Sequence, residues 1–305
     1  MILKLNDYEK KRAVNQARKD LEKKLKLERI FHPEIKNLFN RMNNDFQITV
    51  AATGTPPNAK IYTPAWESTL LNHYARVQKA FVGSVADFED AEDAEDAEAE
   101  DTEDVGTEDV PPVTDRSERP VLPAFEQKLF EELLALALLH YRKARAAIQS
   151  QYIERTNKNN MADAITQAKA SLAQQDLPIN NVTVSKAAAA ILKRKTNGRV
   201  SAIETLETQA PAESTKLMEA RTVDGRRPTS TAISESMKKT WRTIGDDKVR
   251  DAHKDANFQT KFVESDFIVM GEHLMYPGDG SLGASAGNLI NCRCSAVYFK
   301  QKQEE

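Results

Sequence analysis

The chain has 305 residues, 40 % hydrophobic and 29 % charged, which is enough to bury one or two cores and excludes a small disulfide-stapled module. Its longest nearly uninterrupted apolar stretch, residues 133–139, falls far short of the roughly 20 residues a helix needs to cross a bilayer, so no membrane partner is expected. The formal net charge of −3 hides a segregation, because residues 87–109 hold fourteen acidic side chains and no basic one, leaving a basic body around an acidic insert.

The start, MILKLNDYEKKR, places charges where the apolar core of an export signal would sit, and synthesis and retention in a cytosol are the expectation. Val14, Ala17, Leu21 and Leu25 then recur at helical steps of three and four. Pro33 breaks or restarts that helix, and Ile35, Leu38, Phe39, Met42 and Phe46 carry the same period onward, predicting two amphipathic helices in succession. QITVA, residues 47–51, reads as a strand, and TGTPPN, residues 53–58, as turn chemistry. The next helix is expected to start with Thr63 as cap and Pro64 in its first turn, with Trp66, Leu70, Tyr74, Val77 and Phe81 on its core face. The acidic insert that follows repeats Ala, Glu and Asp with almost nothing apolar to repay ordering, so it reads as a solvated linker, a tether, or an anionic mimic of nucleic acid.

Beyond the insert, Phe125 to Tyr152 predicts a long helix whose run from Leu133 to Leu139 is apolar all round, hence buried, with His140 beside it as a structural residue. Helices are expected over residues 163–174, over 186–195 with Ser185 as cap and Gly198 as terminator, and over 201–220. Lys193, Arg194, Lys195 and Arg199 are the densest basic group outside the first helix, and suit either a phosphate backbone or the dipole of a helix end. From about Ile233 helical periodicity gives way to short pieces: FVESDFIVM, residues 262–270, reads as a strand, GEH at 271–273 as a turn, and SAVYF at 295–299 as a closing strand. Between them, Gly278, Gly280, Gly283 and Gly287 lie in a glycine-rich loop that lacks both the Lys-Ser/Thr of a phosphate loop and the spacing of a dinucleotide fingerprint. The fold class is α+β: a mostly helical N-terminal region followed by a small mixed α/β C-terminal domain. The division is 1–86 helical, 87–120 acidic and disordered, 121–200 helical, and 201–305 the C-terminal domain.

Cys292 and Cys294 are one residue apart, too near for an unstrained disulfide, and a C-x-C on a strand puts both sulfurs on one face. Two packed thiols or a metal remain, and zinc suits the sulfurs with His253, the further donors nearby in sequence being His273 and Asp279.

Trp241 to Asp247 (WRTIGDD), Val249, Arg250 and His253, then Tyr276-Pro277-Gly278-Asp279, then Asn291-Cys292-Arg293-Cys294, resemble in order and spacing the C-terminal domain of phage Mu F-like minor head proteins. The resemblance covers about residues 200–300, and departs where Asn257-Phe258-Gln259 stands for the family's usual Asp-Gly-Gln. It implies a minor capsid protein of head morphogenesis, located in the virion at the portal vertex or capsid interior and made in the host cytoplasm. Its partners would be the portal and the major capsid protein, with packaged double-stranded DNA a further candidate and no small-molecule substrate. No catalytic step is expected, and no cofactor beyond the candidate zinc ion. Within the motif, Trp241 is expected as a buried anchor, Asp246 as a cap or turn residue, and Arg250 and Arg293 as partners of Asp247 or Asp279. Pro277-Gly278-Asp279 would form a tight turn, and His253, Cys292 and Cys294 would lie together. The alternative is a metal-dependent or transferase-type enzyme delivered with the phage genome, centred on His253 and the cysteines.

Overall fold

The computed structural model describes residues 5–85, 124–225 and 237–300, so the acidic insert and the composition change near Ile233 lie outside the described residues. Four long helices, α1 (Asp7–Thr53), α2 (Thr63–Phe81), α3 (Ala124–Gln174) and α4 (Asn181–Gly225), precede a small unit of short elements. That unit runs β1 (Met237–Arg242), α5 (Asp251–Asp255), β2 (Thr260–Phe262), β3 (Phe267–Val269), β4 (Glu272–Leu274), α6 (Ala286–Leu289) and β5 (Ser295–Lys300). The architecture is α+β.

Helix α1 starts on a reciprocal cap in which the Asn6 side chain accepts from the Glu9 N–H and the Glu9 carboxylate accepts from the Asn6 N–H, both at 2.8 Å. It runs unbroken through Pro33, whose ring lies on the exposed face while Phe31, Ile35 and Phe39 bind the other face to the core. Tertiary packing thus overrides the local break. It overrides the β propensity of residues 47–51 as well: Phe46 and Val50, four apart, are fully buried while Ile48 between them is exposed, which is a helical pattern. The helix ends at Gly54, φ 75°, where a Cβ would meet Asn181 Oδ1 at 2.9 Å. Thr63 is the first residue of α2 and Tyr62 its cap; the Thr63 hydroxyl donates instead to Glu154 on α3 at 2.6 Å.

The three helices expected between 163 and 220 are parts of two. Residues 163–174 finish α3, while α4 passes through Ser185, Gly198 and Pro211 and starts on Asn180, whose side chain accepts from the Thr183 N–H at 3.0 Å. The run from Leu133 to Leu139 is not enclosed: Leu138 is buried, Leu133 and Leu136 are half exposed, and His140 faces solvent.

The helices share a core of Phe31, Phe39 and Phe46 from α1, Trp66 and Leu70 from α2, Ile153 and Met161 from α3, and Leu192 from α4. Each large side chain fully buried there contributes about 1.5–3 kcal/mol. Tyr74 and Arg145 both hydrogen-bond the buried Glu207 carboxylate, at 2.5 and 3.0 Å, tying α2 and α3 to α4.

In the C-terminal unit β1 is the centre of an antiparallel sheet ordered β2-β1-β5, with Trp241 opposite Ala296. Strands β3 and β4 form a hairpin, so residues 262–270 are not one strand and the expected turn 271–273 is Gly271 followed by the start of β4. All six residues of β1 are buried, Lys238 and Lys239 included; Lys239 donates to the Met275 carbonyl at 2.7 Å, and burial pushes its pKa down to about 7. A buried charge network joins the unit to the helices. Lys24 of α1 meets Glu213 of α4 at 2.5 Å, Lys216 meets Asp20 at 2.6 Å, and Lys216 and Glu213 also bond the backbone of Ala296 on β5.

Candidate metal centre

Three turns of chain build the centre. Helix α5 carries His253, the segment before β5 carries Cys292 and Cys294, and the short helix α6 carries Asn288; all four are buried. Trp241 on β1 is fully buried and meets the His253 ring edge-on at 5.6 Å and Phe267 at 5.4 Å, so the central strand fixes the imidazole from one side.

A chain of hydrogen bonds fixes it from the other side. The Asn288 amide nitrogen donates to Glu272 at 2.5 Å and to the Val269 carbonyl at 3.2 Å, which turns its oxygen toward His253 Nε2 at 3.2 Å. His253 therefore carries its proton on Nε2 and presents the Nδ1 lone pair to the two sulfurs, 3.4 Å from Cys294 Sγ and 3.8 Å from Cys292 Sγ. Glu272 is itself held as a carboxylate below its usual range by the Ser285 backbone N–H and by Asn288.

The donor set fits zinc. A tetrahedral ion with metal–sulfur bonds of about 2.3 Å and metal–nitrogen bonds of about 2.0 Å holds sulfur and nitrogen ligands about 3.5 Å apart, close to the two distances here, and all three donor atoms lie within 4.8 Å of one another. Hydrogen bonding to Cys294 pulls the Cys292 thiol's pKa down, whereas hydrogen bonding to Cys292 and burial push that of Cys294 up.

The other motif residues fall into place around this core. Asp246 makes a turn, accepting from the Lys248 N–H at 3.1 Å, and pairs with Arg293 at 2.9 Å. Among the described residues Arg250 pairs with no acid; its guanidinium donates to the Ile290 carbonyl. Asp279 likewise takes no arginine among them, for its carboxylate accepts the N–H groups of Met275 and Ser281, at 2.9 and 2.8 Å, inside the turn of residues 276–279. Gly278, φ 86°, lets that turn approach Gln209 of α4, whose Cγ would lie 3.0 Å from a Cβ there. Gln209 donates to both the Pro277 and Cys294 carbonyls, at 3.1 and 2.6 Å, coupling the turn to the cysteines. Asn291, φ 56°, lines the opening above the sulfurs.

His273 and Asp279 are not ligands: His273 is exposed on β4 against Asp266, and Asp279 is spent on its turn. Asn257 accepts from the Thr243 N–H at 3.1 Å as an Asp would, while Phe258 adopts φ 65° in a region where glycine is unstrained, its ring covered by Arg242 at 3.6 Å. Asn288, Glu272 and Gln209 were not singled out from sequence, which holds no spacing signal for them. Comparison with family models, with curated proteins and with solved structures found no match, so the Mu F-like reading stands on these motif residues alone.

Proposed function

We propose that this chain is a minor capsid protein of a tailed bacteriophage, acting in head morphogenesis at the portal vertex, with a role in binding rather than catalysis. One observation carries the reading: the three separated pieces of the motif, spread over residues 241–294, pack around a single buried centre made by His253, Cys292 and Cys294. Zinc held by His253 Nδ1 and the two thiolates would cross-link α5 to the chain entering β5, adding stability that a unit of short strands cannot obtain from its own core. Portal and major capsid subunits are the proposed partners, and packaged DNA a further one. Among the described residues no helix is long and apolar enough to cross a membrane.

The second reading, a metal-dependent enzyme, is favoured by a cavity of about 20 Å³ that opens beside both sulfurs. Quantitative mass spectrometry of purified heads, with cross-linking, tests the capsid reading, and activity lost in a folded His253→Ala variant would mark the enzyme. Few copies per particle with cross-links from α1–α4 to a portal ring support the capsid reading, and absence from the particle refutes it.

A further inference from the structure

We propose that the metal held by His253, Cys292 and Cys294 takes its fourth ligand from outside the described residues of this chain, and that this ligand is a carboxylate. The inference rests on the zinc reading above and names what that site recognises.

The first argument is the donor count. The described residues bring three soft or borderline donors together, and the cavity beside them is walled by Ile244 and Val249, with Asn291, Lys248, Arg250 and Arg293 completing it. None of these six supplies a thiol, an imidazole or a carboxylate. Zinc with three protein ligands keeps an open position, unlike the closed four-ligand sites of zinc fingers.

Size and charge then choose the ligand. About 20 Å³ admits one water-sized atom and no more, so a larger ligand enters by a single atom and leaves the rest at the mouth. Two thiolates, a neutral imidazole and a divalent ion sum to zero, so a neutral fourth ligand leaves the cationic rim uncompensated. Of the rim cations, Arg293 is already paired with Asp246, whereas Lys248 and Arg250 are exposed and make no ion pair among the described residues. A carboxylate places one oxygen in the cavity and offers the second to the Arg250 fork or to Lys248. Hydroxide has no second oxygen, and water brings no charge. The sources proposed are a free small acid and an Asp or Glu side chain of a partner protein.

The test uses the full chain, stripped with a chelator and reloaded with cobalt(II), whose visible absorption reports coordination. Acetate and a blocked Gly-Glu-Gly peptide are titrated in turn. The expected result is a saturable change in the ligand-field bands, with the thiolate-to-cobalt band retained and affinity about tenfold weaker in Arg250→Ala or Lys248→Ala, the loss of one charge-assisted hydrogen bond. Response to both probes identifies a free acid as sufficient; response to the peptide alone identifies a partner's side chain. A cobalt spectrum indifferent to both probes, or shifted equally in wild type and both rim variants, overturns the inference while leaving the metal site standing. Absence of any thiolate-to-cobalt band overturns the zinc reading, and this inference with it.

Discussion

His73 is fully buried, stacked 3.7 Å from Phe31, with Nε2 beside the Thr208 hydroxyl at 2.9 Å. Burial, with Arg76 nearby, depresses its pKa from 6.5 to about 3. The folded state therefore refuses a proton that the unfolded state accepts below pH 6.5, so the stability this residue contributes is present above pH 6.5 and is lost as pH falls toward 3. Melting followed against pH should show a loss of up to about 1.4 kcal/mol per pH unit in that window, and His73→Gln should flatten that part of the profile; an unchanged profile would show that the imidazole titrates normally. At this scale the candidate site was half legible. His253, Cys292 and Cys294 announce themselves by donor type, because few side chains are soft metal ligands. Asn288 and Glu272, which set the tautomer of His253, are ordinary polar residues in a short helix and a strand, and their role exists only once the chain has folded.

Among the elements, the stripes of α1 and α2 were legible because Phe39, Phe46, Trp66 and Leu70 repeat at helical spacing. Pro33 misleads, since a local rule forbids what packing on the opposite face enforces. Its ring is exposed and blocks one backbone bond, so Pro33→Ala should raise stability by about 1–3 kcal/mol, read as a higher melting temperature; a fall would mean that the proline sets a bend the bundle requires. Strand β1 was missed because Lys238, Lys239 and Thr240 read as surface, and only the flanking strands and the Met275 carbonyl make them interior. The charges of the first helix mislead in the same way. Asp20 and Lys24 look like a solvated face, yet they meet Glu213 and Lys216 in the interior. Burial pulls the Asp20 pKa up, but Lys216 and Lys24 outweigh it and hold the carboxylate ionised. Lys216→Met strands Asp20 and should cost about 3–5 kcal/mol in urea unfolding, with Asp20→Leu added to it restoring most of the loss; a single variant as stable as wild type would show that the network is neutral.

Across the described residues, a helical bundle and a small mixed sheet are joined through one buried layer of ion pairs and through Gln209, so helix α4 serves both cores. The helical-then-mixed order was readable from periodicity. The seam was not, because it pairs residues nearly two hundred positions apart. The bundle gives the proposed capsid protein a rigid body, and the sheet unit turns on a single centre. Metal content of the purified full chain tests that centre most directly. One zinc per chain is expected, lost in Cys292→Ser/Cys294→Ser together with a lower melting temperature, while Lys248→Ala retains its metal. A chain purified without zinc that binds none on addition, and whose double cysteine variant melts with wild type, would contradict the account.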